Sequence, residues 1–189
     1  MANPNSPFGF RPLMTTLGGA PCRVAQYGKP VGDSNAIFMY DLVQGVASSC
    51  AAEGGAGNPI RSIKTGYQST PGTSLYTGVS LNYGAASLLT YHTVLDSIDA
   101  LFEAQVKTGT VVSVASHVGK NANYSTTTAG STTTKLSGLT VDGATIATTA
   151  TLDLKIMQLS MKSPNAEGDS AIVEVIINKH QFAEGAAGL

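Results

Sequence analysis

Hydrophobic and polar positions alternate with a period of two along much of this chain, in short runs punctuated by glycine, proline, serine and aspartate. That period places successive side chains on opposite faces of a strand. CRVAQYG (22–28) reads as a first strand and AIFMYDLVQGVA (36–47) as the next. ASSCAAEGGAGNPI (47–60) is a small-residue loop, and Pro71-Gly72 marks a turn. TSLYTGVSLNYG (73–84) predicts a strand pair or a bulged strand, and VVSVASHVG (111–119) a further strand or short apolar segment. In 145–161, Leu152, Leu154 and Ile156 share a face. The turn SPNAEGDS follows, and AIVEVIINKH (171–180) is apolar on both faces except at Glu174. These last two strands predict a hairpin buried on both sides, or on one side plus an interface. The closing AEGAAGL is expected to be mobile.

The stretch TYHTVLDSIDALFEAQV (90–106) is ambiguous at first sight. A helix would carry His92, Asp96, Asp99 and Glu103 on one face, the pattern of a metal or catalytic site. Its first turn, however, would be built from Thr90, Tyr91, Thr93 and Val94, all mediocre helix formers. As strands it divides cleanly around DSID, with Phe102, Ala104 and Val106 opposite Glu103, Gln105 and Lys107. The expectation is a β-hairpin with Asp96 and Asp99 at its tip, and His92 and Glu103 as cross-strand neighbours at most.

Two segments break the alternation. NANYSTTTAGSTTTKLSG (121–138) is Ser/Thr/Gly-rich and predicts a long exposed loop. The N-terminal MANPNSPFGFRPL has prolines at 4, 7 and 12, which remove backbone donors and favour extended backbone. It also carries Phe8 and Phe10, unusual in a disordered tail. Residues 1–20 are therefore expected to form an extended arm, and 21–189 a single β-rich domain. The arm lies either on its own domain or on a partner. For the second case Phe8 and Phe10 are the expected anchors and Arg11 a partner for a carboxylate.

No sequence repeat and no long amphipathic helix is evident. Many short strands predict an all-β fold, an antiparallel sandwich of jelly-roll type or a small barrel.

Composition narrows the function. Charged residues are only 12% of the 189, and the formal net charge is −1. Nothing in that balance suits nucleic acid or an acidic membrane surface. A neutral polar surface resists self-association poorly, which suits life inside an assembly. No apolar run approaches the ~20 residues of a membrane helix, and no secretory leader is evident, so cytoplasmic assembly is expected. Cys22 and Cys50 form no CxxC pair and read as two free thiols, with a disulfide as the alternative.

The chain carries few motifs of catalysis or metal binding. His92, His117 and His180 have no metal-ligand spacing to one another, and no GxSxG or phosphate-binding loop is present. His92 with Asp96 or Glu103 is the best candidate pair, but two ligands do not make a metal site. The DSID turn and Glu167 with Asp169 offer weak calcium ligands that read better as plain turns. The expectation is a chain that is not an enzyme and carries no metal or cofactor.

Three blocks, MANPNSPFGFRPL, TYHTVLDSIDALFEAQV and NAEGDSAIVEVIINKHQ, resemble a family of tailed-bacteriophage capsid decoration (cement) proteins. Asp96 and Asp99, separated by Ser97-Ile98, depart mildly from that family's adjacent acidic pair. The resemblance implies a β-rich virion protein on the outside of the head, self-association there and contact with the major capsid protein. A trimer is favoured for that homo-oligomer, with a dimer second. The alternative is a non-catalytic sandwich that binds glycans or a host surface, using Tyr67, Tyr76, Tyr83 and Tyr124 in place of the missing tryptophan.

Overall fold

The computed structural model describes residues 3–15, 22–50, 60–162 and 164–183. Of the predicted small-residue loop 47–60, residues 47–50 end one strand and Ile60 opens the next, and 51–59 lie outside the described residues, as do 1–2 and 16–20 of the predicted arm and the closing tail from 184. The chain is nearly all β, as its alternation predicts. In order come β1 (Arg11–Thr15), β2 (Val24–Lys29), β3 (Leu42–Cys50), β4 (Ile60–Thr65), β5 (Gly78–Ser80), β6 (Thr90–Leu95), β7 (Ala100–Gln105), β8 (Asn121–Ser125), β9 (Thr140–Ala147), β10 (Leu154–Leu159) and β11 (Ile172–Ile177). A 3-10 turn follows β4 at Gly66–Gln68, and one α-helical turn, α1 (Val114–His117), stands where 111–119 reads as a strand or short apolar segment. There the His117 Nδ1 accepts from the Ser113 N–H at 3.0 Å and helps close the turn.

Strands β2-β4-β3-β5-β6 close into a barrel, and β1-β7-β11-β10-β8-β9 form a six-stranded sheet. The sheet curls back on itself. Val106, just past β7, bridges Val141 of β9 in parallel, and Lys107 N–H donates to Val141 O at 2.8 Å.

With that bridge, the two halves have the same connectivity. In β2–β6 the first strand pairs in parallel with the third (Gly28 with Ser62) and antiparallel with the fifth. The third pairs with the second, the second with the fourth, and the fourth with the fifth. In β7–β11 the same pairings recur: first with third by the Val106–Val141 bridge, first with fifth, third with second, second with fourth, fourth with fifth. Even an isolated antiparallel bridge is repeated. Ile37 pairs with Gly84 between the first and fourth connections of the barrel, and Val112 with Gly168 between those of the curled sheet.

Several pairings differ from expectation. β10 and β11 do form the predicted antiparallel hairpin. β6 and β7 do not: β6 pairs with β2 and β5 in the barrel, whereas β7 pairs with β1 and β11 in the sheet. Asp96–Asp99 is thus a crossing between the two halves. It lacks the Asn-Gly or Gly-rich pair that a tight hairpin needs. The run 36–47 becomes regular strand only from Leu42, because Asp41 N–H turns back to Phe38 O and Tyr40 takes φ 71°. The Ser/Thr-rich stretch is not all loop. Asn121–Ser125 is a strand whose Tyr124 is 1% exposed, and Ser137 is buried.

The main core lies in the curled sheet and continues into the barrel through Leu42, Tyr76, Val79 and Leu95. A smaller cluster of Tyr27, Ile37, Val43, Ile63 and Val94 fills the barrel itself.

Candidate functional site

The predicted contact residues all sit on the arm, and the structure ties that arm to its own domain. Asn3 Nδ2 donates to Ala166 O and Asp169 O, both at 2.9 Å, and its Oδ1 accepts from Ala166 N–H at 3.0 Å. Ser6 N–H donates to Gln105 Oε1 at 3.0 Å, and Gln105 Nε2 donates to Pro4 O at 2.7 Å. Gly9, at φ 78°, passes so close to Ser137 and Tyr40 O that a Cβ would lie 2.5 Å from the Ser137 Cβ. Only glycine satisfies both the left-handed backbone and the approach.

Phe10 follows and is fully buried in the main core, with its N–H on Tyr40 O at 2.9 Å. In this conformation it offers no surface to a partner. Its ring gains more from a ready apolar core than it would from solvent. From Arg11 the arm becomes β1, the outermost strand of the sheet, paired with β7. Pro12 is tolerated there because an edge strand has donors to spare.

Arg11 finds its carboxylate inside the chain. Its guanidinium donates to Glu103 Oε2, with Nε at 3.1 Å, and stacks over the Phe8 ring at 4.8 Å. Phe8 is half-buried beneath it. Lys162 Nζ, 3.0 Å from Glu103 Oε1, and the Ser160 hydroxyl, at 2.7 Å, complete the carboxylate's shell. Burial pushes the Glu103 carboxyl up, but these donors outweigh it, and Arg11 is the largest of them; the group stays below its ordinary range. Glu103 is therefore a staple for the arm, and it faces Glu174 of β11 across the sheet, not His92.

His92 lies in the barrel with no exposed surface. Ser80 Oγ is 2.8 Å from Nδ1 and donates to Asn82 O, so Nδ1 carries the proton given to Ser80. Nε2 then accepts from the Thr90 hydroxyl at 2.9 Å. Burial pushes the imidazole down to about 4, so it is neutral. Both nitrogens are satisfied by structural partners.

Asp96, expected at an exposed tip, is buried. Its oxygens accept from Arg23 Nε and Nη2 at 2.9 and 2.7 Å and from the Tyr27 hydroxyl at 2.8 Å. Burial pushes the carboxyl up, and the Arg23 and Tyr27 hydrogen bonds more than offset it, holding it below its ordinary range. Asp169 accepts from Gly109 N–H at 2.8 Å. No group of three or more His, Cys, Asp or Glu side chains is placed to hold a metal among the described residues. Cys22 is a free thiol; the Cys50 side chain lies outside the described residues. Of the four tyrosines considered for glycans, Tyr76 and Tyr124 are buried edge-to-face against each other, and Tyr67 and Tyr83 are half-buried.

Sequence reasoning missed two buried acids. Asp41 Oδ2 accepts from Phe38 N–H at 2.8 Å and the Thr65 hydroxyl at 2.9 Å, and burial pushes the carboxyl up to about 7. Both Asp153 oxygens accept from Gly72 N–H at 2.9 Å, and burial again pushes the group up to about 7. An aspartate before a strand looks like a turn residue, so neither carried a signal.

The three blocks that carry the resemblance meet in space. The arm lies on β7, β7 pairs with β11, and Gln105 reaches both Pro4 O and Ser170 O. Comparison with known protein families, with curated proteins and with solved structures gives no match.

Proposed function

We propose that this chain is a structural protein of a bacteriophage head, bound to the outside of the shell and stabilising contacts between neighbouring copies of the major capsid protein, with no catalytic role. The observation that carries this reading is the convergence just described. Segments from the start, middle and end of the chain resemble one family of decoration proteins, and in the fold they contribute three adjacent strands, β1, β7 and β11, the middle segment also carrying β6 of the barrel. A shared sheet gives one physical reason for all three segments to keep their sequences together. The wiring of each half also fits a mechanical role, since long-range strand pairing stiffens the body that must brace its neighbours.

The test uses particles of the phage that encodes the chain. The protein is expected at a fixed ratio to the major capsid protein in purified heads, as density on the outer surface, grouped as trimers or, failing that, dimers. Heads that lack it altogether would contradict the proposal.

A further inference from the structure

The barrel and the curled sheet meet along a seam made of loops. Among the described residues no strand of one pairs with a strand of the other, and two isolated parallel bridges cross, Met39–Leu136 and Tyr76–His180. Two stretches of the barrel half line the seam. At 39–41, Met39 N–H donates to Lys135 O and Ser137 N–H donates to Met39 O, both at 2.9 Å. At 66–76, the Tyr67 hydroxyl donates to Thr128 O and accepts from Gly138 N–H, both at 2.9 Å. The Tyr124 hydroxyl reaches back to Gly66 O at 2.8 Å, and Lys179 Nζ to Gly72 O at 2.9 Å.

Each stretch meets a buried acid. Asp41, in the first, is fully buried. Phe38 N–H and the Thr65 hydroxyl both donate to its Oδ2, whereas Oδ1 has no partner of hydrogen-bond geometry. The Ser137 hydroxyl faces this carboxyl from the sheet side, and the Tyr67 phenol from the 3-10 turn. Asp153 meets the second stretch from the sheet side and is fully buried as well. Its oxygens accept from Gly72 N–H across the seam, with Tyr124 N–H of β8 beside them. The charged and titratable groups around it are Lys179 and the Tyr76 and Tyr124 phenols. Neither carboxyl is ion-paired among the described residues. A buried carboxylate without an adjacent cation or a full set of donors is costly, so the closed seam favours the neutral acid.

We propose that this seam is a proton-linked joint: Asp41 and Asp153 hold the halves together while neutral, and the loops at 39–41 and 66–76 part from the sheet half as the two carboxyls ionise and reach water. Burial pushes both acids up to about 7. A hydrated carboxyl releases its proton at about 4. Between those limits, parting releases a proton from each acid, so its equilibrium constant rises about tenfold per pH unit for one acid and roughly a hundredfold for both. The parting is local. Leu42, Val79 and Leu95 of the barrel half belong to the main core and keep the two bodies joined, and each strand set retains its own ladders. The arm closes the Asp41 end, where Phe10 N–H donates to Tyr40 O at 2.9 Å and Gly9 passes against Ser137.

The joint is read by amide hydrogen exchange on the full chain from about pH 5 to about pH 7, corrected for the intrinsic pH dependence of exchange. The amides of Met39, Gly72, Ser137 and Gly138 are expected to open far more often than those of β11. Their opening constants should rise with pH by up to about a hundredfold per unit. Asp41→Asn and Asp153→Asn should each reduce that rise by up to about tenfold per unit, and the double variant should flatten it, because a neutral amide side chain releases no proton. If these variants fail to fold, the pH series on the unaltered chain decides alone. Three results would overturn the proposal: opening that does not change with pH, a rise that persists in the double variant, or seam and β11 amides that exchange with one common opening constant, which would make the event global unfolding.

Discussion

The barrel and the curled sheet are wired alike and stabilised differently. The sheet half buries a continuous apolar core, with Phe102, Tyr124, Leu139, Ile156 and Val173 inside it, and Phe10 delivered by the arm. The barrel half has five residues in its own cluster. Around them it buries Lys29, Asp41, Ser62, Thr65, Ser80 and His92; the sheet half also buries Glu103, Gln105, Asn121 and Asp153, but beside a much larger apolar cluster. One connectivity thus tolerates two interiors. Apolar burial is indifferent to protonation, whereas a buried polar network ties stability to pH and to the geometry of each partner.

The largest expected break lies in the sheet half. Phe10→Ala should cost about 3–5 kcal/mol, the range for truncating a buried phenylalanine, read as a lower midpoint in denaturant. Phe8→Ala, at a half-buried ring under Arg11, should cost a small fraction of that. Equal losses would mean that Phe10 is not the arm's core anchor.

Next comes the barrel's tight spot. A Cβ on Gly84 would lie 2.4 Å from both His92 Nε2 and Thr90 Oγ1. Gly84→Ala should therefore cost roughly 1–3 kcal/mol as overpacking. Thermal melting of this variant beside Gly84→Ala with Thr90→Ala should show partial recovery.

The staple comes third. Arg11→Ala removes two hydrogen bonds to Glu103 but leaves Lys162 and Ser160. Its side chain is 44% exposed, so solvent screens much of the attraction. A loss of about 1 kcal/mol is expected, with faster hydrogen exchange in β1.

The pH dependence is the subtlest contrast. Burial favours the protonated form of Asp41 in the fold. That contribution to stability is therefore greatest near pH 4 and declines as pH rises to about 7, where the group ionises. His92 acts in the opposite sense. It is neutral in the fold down to about 4, so stability declines as pH falls from its ordinary 6.5. Asp153, also pushed up to about 7, adds a decline over the same range. Asp41→Asn should therefore reduce the first decline without abolishing it and leave the second, as measured by urea unfolding near pH 5 and about pH 8. An unchanged profile in that variant would remove Asp41 from the account.

Local features were legible in the sequence, and long-range ones were not. The strands at 24–29, 90–95 and 100–105 and the final hairpin follow from period-two patterning and turn residues. The partners of β6 and β7 do not, because alternation defines a strand's faces but not which edge it joins. Phe10 shows why the arm was hard to place. An aromatic residue between prolines looks the same whether it seeks a partner or its own core, and Gly9 decides the matter only once Ser137 and Tyr40 stand beside it. Tyr124 was hidden in a Ser/Thr-rich run, where a single large side chain fixes a buried strand. The internal repeat left no sequence trace because hydrogen-bond wiring, not side-chain identity, is what the halves have in common. The Ile37–Gly84 and Val112–Gly168 bridges are its clearest mark.

Amide hydrogen exchange on the full chain tests the arm's role most directly. Leu101 and Glu103 of β7 turn their backbone groups toward β1. Slow exchange is expected at both amides in the intact chain and faster exchange at both in Phe10→Ala. Equal protection in the two proteins would contradict the claim that the arm, anchored by Phe10, seals this edge of the sheet.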